Sequence, residues 1–92
     1  MADAISIHTA SGIVYTGKGQ LFGLVITATT GNPRVTFYDH DEASGTKVFE
    51  ATIPSVGILE LFFTDRFAPA FSIGLYISMA DNMTATLWTR QL

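Results

Sequence analysis

The chain contains no cysteine. That excludes a disulfide framework, a zinc–thiolate site and a thiol nucleophile. It also fits assembly in a reducing cytoplasm, because small extracellular domains often carry disulfides. Charge is scarce as well, at 14% of the 92 residues, against about 25% in an ordinary soluble domain. The net charge is −3, and the five basic residues, Lys18, Arg34, Lys47, Arg66 and Arg90, are scattered. Without a basic cluster to neutralise phosphates, nucleic acid is not an expected partner. Long hydrophobic runs are missing: "LFGLVI" and "GILELFF" fall far short of the roughly 20 residues that span a bilayer. The N-terminal "MADAISIH" has neither the basic start nor the apolar run of a secretory signal. These absences predict a soluble protein without a membrane or nucleic-acid partner.

What is present is apolar. Hydrophobic residues make up 48% of the chain, which excludes disorder as the main state. A chain of this length forms one domain and buries roughly 60–65% of the surface its unfolded form exposes. Few charges remain to cover the outside. The expectation is therefore association with other chains.

Period-2 patterning dominates. In "FSIGLYISM", Phe71, Ile73, Leu75, Ile77 and Met79 fall on one face and Ser72, Gly74, Tyr76 and Ser78 on the other, as in a strand with one side on a core. In "MTATLWTRQ", Met83, Ala85 and Leu87 fall inward, with Thr84, Thr86, Trp88 and Arg90 outward. The short "ADN" between these two segments predicts a hairpin. Further strands are predicted at Ile5–Thr9, Ile13–Thr16, Leu21–Thr29, Arg34–Asp39, Thr46–Ile53 and Ile58–Thr64. They are separated by Gly-, Pro-, Asn- and Ser-containing breaks suited to turns. No window carries helical periodicity, and twelve threonines with many Ile, Val and Phe residues favour pleated surfaces. The prediction is an all-β fold: a single antiparallel β-sandwich of about eight strands, jelly-roll-like. Residues 1–11 are read as an N-terminal arm or added strand, and 12–92 as the sandwich.

Two strands are apolar on both faces. In "QLFGLVITAT", Leu21 and Val25 oppose Phe22, Leu24, Ile26 and Ala28. In "GILELFFT", Ile58 and Phe62 oppose Leu59, Leu61 and Phe63. A sandwich strand needs only one apolar face, so the second wants a cover, either a loop or another subunit. The low overall charge tips the expectation to a subunit, with Phe22, Leu24, Ile26, Leu61, Phe63 and Trp88 as the interface candidates.

The polar cluster "DHDEASGTKVFE" (39–50) outlines part of an EF-hand loop, with acids at positions 1, 3 and 12. Position 5 would be Ala43, which offers no oxygen, and the flanks are strand-like where an EF-hand needs helices. Ser44-Gly45 instead fits a hairpin with a type I turn and a positive-φ bulge. The segment reads as a turn, and no metal or cofactor is expected. His40 lies between Asp39 and Asp41, but neighbours on a strand point to opposite faces and His8 is far away in sequence, so an exposed turn histidine is expected. No "GxSxG" elbow is present. Pairs drawn from Asp39, Asp41, Glu50, Glu60 and Asp65 carry no weight as glycosidase acids, since eight acids always supply pairs. "GKGQLFG" misses GxGxxG by one residue, and no helix follows. The chain is not expected to be an enzyme.

Over residues 12–92 the chain resembles a class of small all-β virion proteins of tailed bacteriophages. The resemblance lies in "GQLFGLVI", "RVTFYDHDEASGTKVFEATI", "RFAPAFSIGLYIS" and the closing "MTATLWTRQL". It implies a capsid decoration (cement) protein that oligomerises, often as a trimer, and binds capsid protein at subunit junctions. Such a protein is assembled in the host cytoplasm and resides on the virion surface. The alternative expectation is a carbohydrate- or receptor-binding sandwich, such as a fibre tip or adhesin module, using Trp88, Tyr15, Tyr38 and Tyr76. Those four side chains would line one groove in a binding module and lie apart in a structural protein.

Overall fold

A computed structural model describes residues 3–28, 33–40, 42–53, 57–64, 68–79 and 83–91. Among them are nine strands and no helix: β1 (Asp3–His8), β2 (Gly12–Thr16), β3 (Gly19–Ala28), β4 (Arg34–Asp39), β5 (Thr46–Thr52), β6 (Ile58–Phe62), β7 (Ala70–Phe71), β8 (Gly74–Ser78) and β9 (Met83–Gln91). All pairings are antiparallel. The first sheet runs β1-β9-β3-β6, with β7 also paired to β3, and the second runs β2-β8-β4-β5. With the two-residue β7 set aside, each long strand crosses to the other sheet from its predecessor, except at the β4–β5 hairpin. This is the strand order of an eight-stranded jelly roll.

The core lies between the sheets. Leu21, Leu24, Ile26, Met83, Ala85 and Leu87 come from the first sheet, and Val35, Phe37, Leu75 and Ile77 from the second, with Ile53 and Phe71 beside them. Each large side chain buried there contributes roughly 1.5–3 kcal/mol. None of the buried core residues comes from β1. That strand is held along one edge by its ladder to β9, with Ile5 opposite Trp88 and Ile7 opposite Thr86.

Four details depart from the sequence reading. The "ADN" connection does not close a hairpin, because β9 is paired on its two sides by β1 and β3 while β8 lies in the other sheet; residues 80–82 themselves lie outside the described residues. A bulge between Leu21 and Gly23 adds Phe22 as an extra residue against β9, which shifts the alternation by one. Leu21 therefore joins Leu24, Ile26 and Ala28 inside, and Phe22 joins Val25 outside. "FSIGLYISM" is not one strand but β7 and β8, separated by a bend at Ser72–Ile73. Ile73 is 57% exposed rather than inward.

Candidate functional site

The bend has a specific cause. The Asp39 carboxylate, at the end of β4, accepts the backbone N–H of Ser72 (3.0 Å to Oδ2), Ile73 (2.8 Å) and Gly74 (3.3 Å), together with the Ser72 hydroxyl (3.2 Å). Three consecutive amides converging on one carboxylate turn the chain out of β7 and into β8. Partial desolvation pushes the Asp39 pKa up, but these hydrogen bonds outweigh it, and the net direction is below the ordinary 3.8. Gly74 fits because a Cβ there would stand 2.8 Å from the Tyr15 carbonyl oxygen. Asp39 of "RVTFYDHDEASGTKVFEATI" and Ser72-Ile73-Gly74 of "RFAPAFSIGLYIS" are thus bonded to each other.

The acidic turn is a hairpin between β4 and β5, with Gly45 at φ 87°. Asp41 lies outside the described residues. His40 is half-buried rather than exposed, its ring seated beneath Gly45, where a Cβ would meet it at 3.2 Å. The Nε2 of His8 lies 3.1 Å from the Ser6 hydroxyl on its own strand. Among the described residues no group of three His, Cys, Asp or Glu side chains converges as a metal site, and no enclosed pocket is present. Among the described residues no helix is long and apolar enough to cross a membrane.

The feature without a structural use is the outer face of the first sheet. Residues opposite one another on antiparallel strands share a face, so the pairings define its rows. One row runs Ile5, Trp88, Gly23, Phe62; the next Ile7, Thr86, Val25, Glu60; the last Thr84, Thr27, Ile58. Ile5, Ile7, Ile58 and Phe62 are between 62% and 69% exposed. Gly23 shapes the centre, since a Cβ there would stand 2.4 Å from the Phe62 ring. Its absence lets Phe62 lie across β3 and meet Trp88, with centroids 5.2 Å apart at 57°. At one end the Arg90 guanidinium stands 4.1 Å over the Phe22 ring, a cation–π contact.

The second sheet's outer face is polar by comparison. Thr36 donates to Glu50 (2.8 Å), which also receives Lys47 (3.5 Å). These contacts, the Thr36 hydrogen bond first, lower the Glu50 pKa. Arg34, Tyr38, Thr52, Tyr76 and Ser78 share that face by register, with the exposed Ile13 opposite Tyr76.

The six interface candidates divide between the two sides of the first sheet. Phe22 and Trp88 are on the outer face. Leu24 and Ile26 are fully buried in the core, and Leu61 and Phe63 are half-buried against it, Phe63 edge-on to Phe49 at 5.7 Å. The bulge and the β6 register turn these four toward the core side of the sheet. The large apolar side chains exposed on the outer side are Ile5, Ile7, Ile58 and Phe62. The four aromatics of the sugar-binding alternative do not line one groove. Tyr15 packs on Phe71 beside the core (5.6 Å), Tyr38 and Tyr76 pair on the second sheet, and Trp88 is on the first. No protein-family model, curated protein or solved structure matches the chain.

Proposed function

We propose that the chain is a non-enzymatic structural protein of a phage particle, a decoration protein that oligomerises and binds capsid protein at subunit junctions. The observation that carries the assembly role is the outer face of the first sheet, where four large apolar side chains stand more than 60% exposed on one side. Contiguous apolar patches of more than a few hundred Å² on a lone domain mark interaction surfaces. The phage context rests on the resemblance over residues 12–92, and three subunits is what that resemblance implies. In the particle the protein works by burying this face, and it sits on the virion surface after assembly in the host cytoplasm.

A carbohydrate- or receptor-binding role draws support from the Trp88–Phe62 pair alone, since the tyrosines lie elsewhere. The test is co-sedimentation with empty shells of the phage that encodes the chain, using the wild type and Ile7→Asp/Ile58→Asp. The wild type should sediment with the shells and the variant should stay in the supernatant. Wild-type protein that stays in the supernatant at saturating shell concentration sinks the decoration reading.

A further inference from the structure

We infer that the outer face of the first sheet pairs with the same face of a second copy about a two-fold axis. This rests on the reading of that face as an assembly surface, and it names the occupant. Three properties favour a second copy over an unrelated chain.

The first is area. The four exposed apolar side chains alone present roughly 500 Å², in the range of the largest apolar patch of a typical monomer, which is often functional. With the half-exposed Trp88, Phe22, Val25 and the threonines, a face-to-face pair buries on the order of 1,200 Å² in total, the lower bound for a specific interface.

The second is the distribution of apolar groups. They occupy both lateral strands, Ile5 and Ile7 on β1 and Ile58 and Phe62 on β6, with Trp88 and Val25 between. A face that is apolar at both margins meets apolar groups when laid on itself, as an isologous contact requires.

The third is charge. The chain carries −3, yet charge is sparse on this face, where register places Arg90 with Asp3 opposite it, and Glu60. Two copies therefore meet without piling up like charge. The polar outer face of the second sheet, with Arg34, Lys47 and Glu50, remains in water. A self-complementary face yields pairs, so the three subunits implied by the phage resemblance are not the product of this surface.

Sedimentation equilibrium tests the pairing directly. The wild type should weigh about twice the 10.0 kDa chain. Ile5→Asp/Phe62→Asp places each charge in the interface twice and should weaken pairing by more than about a hundredfold, while Thr52→Asp on the other sheet changes nothing. Both substituted side chains are exposed in the single chain, so circular dichroism should show an unchanged fold. Because the chain lacks cysteine, Thr86→Cys supplies a single thiol near the middle of the face. A short bismaleimide should join two such chains across the roughly 10 Å between stacked sheets. Pairing through the β1 edge would hold the two thiols apart and leave them uncoupled.

A wild-type monomer, a trimer, a pair that survives Ile5→Asp/Phe62→Asp, or a pair that the bismaleimide fails to join would each overturn the inference. Co-sedimentation separates its failure from that of the decoration reading. A monomer that still binds shells through this face removes only the pairing. A pair that ignores shells removes only the decoration role.

Discussion

Replacing Asp39 with alanine tests whether the bend between β7 and β8 depends on one side chain. The substitution removes the acceptor of the Ser72, Ile73 and Gly74 amides and of the Ser72 hydroxyl. Hydrogen bonds to a charged group are worth about 1.5–3 kcal/mol each when a buried partner is stranded. Water can replace the carboxylate at Ser72 and Ile73, which are exposed, whereas Gly74 is buried. One full loss and two largely compensated ones give about 2–3 kcal/mol in total, a large share of the roughly 5–15 kcal/mol that a domain has. For a domain of this size that lowers the thermal midpoint by about 10–20 °C. Asp39→Asn keeps one acceptor oxygen without the charge and should lose roughly half as much. The assay is thermal unfolding followed by far-ultraviolet circular dichroism at neutral pH. An alanine variant melting within about 3 °C of the wild type would refute the reasoning and leave the bend to β8 pairing alone.

Three further outcomes follow from the same geometry. The folded-state pKa of Asp39 lies below its ordinary 3.8, so its contribution is present above that value and is lost as pH falls through the folded pKa; acid titration should destabilise the wild type below about pH 4 more steeply than Asp39→Asn. Gly23→Ala drives a Cβ into the Phe62 ring, but that exposed ring can swing aside. Unfolding free energy should change by less than about 1 kcal/mol, while the nuclear Overhauser cross-peaks between the Phe62 and Trp88 rings disappear. Calcium, magnesium and zinc should leave the thermal midpoint unchanged, where a ligand of the folded state at about a hundred times its dissociation constant would add about 2.7 kcal/mol.

Alternation carried much of the fold into view. "MTATLWTRQ" shows its inward and outward residues plainly, and β9 follows them residue by residue. The Ser44-Gly45 turn is legible because positive φ at Gly45 is a local requirement. What stayed hidden was non-local. The bend at Ser72–Ile73 is hydrogen-bonded to a carboxylate 33 residues earlier, which a local reading of "FSIGLYISM" as one unbroken strand does not register. The bulge at Phe22 resets the parity of β3, and a period-2 count cannot register an extra residue. In "GILELFFT" both faces are apolar, so periodicity separates Leu61 and Phe63 from Ile58 and Phe62 without saying which pair is inside. Ile5 and Ile7 alternate with the less apolar Ala4, Ser6 and His8, as core residues of a strand do. Their register opposite Trp88 and Thr86 places them outside.

The central claim is that the Ile5–Trp88–Phe62 face is covered by another protein in the working assembly. Trp88 is the sole tryptophan and stands half-buried on that face against Phe62, so its fluorescence reports on the face without a label. Trp88 emission should shift to the red as the isolated protein is diluted from high micromolar to nanomolar concentration, and to the blue when shells are added to the dilute sample. An emission maximum that stays fixed across the whole dilution and on addition of shells would contradict it.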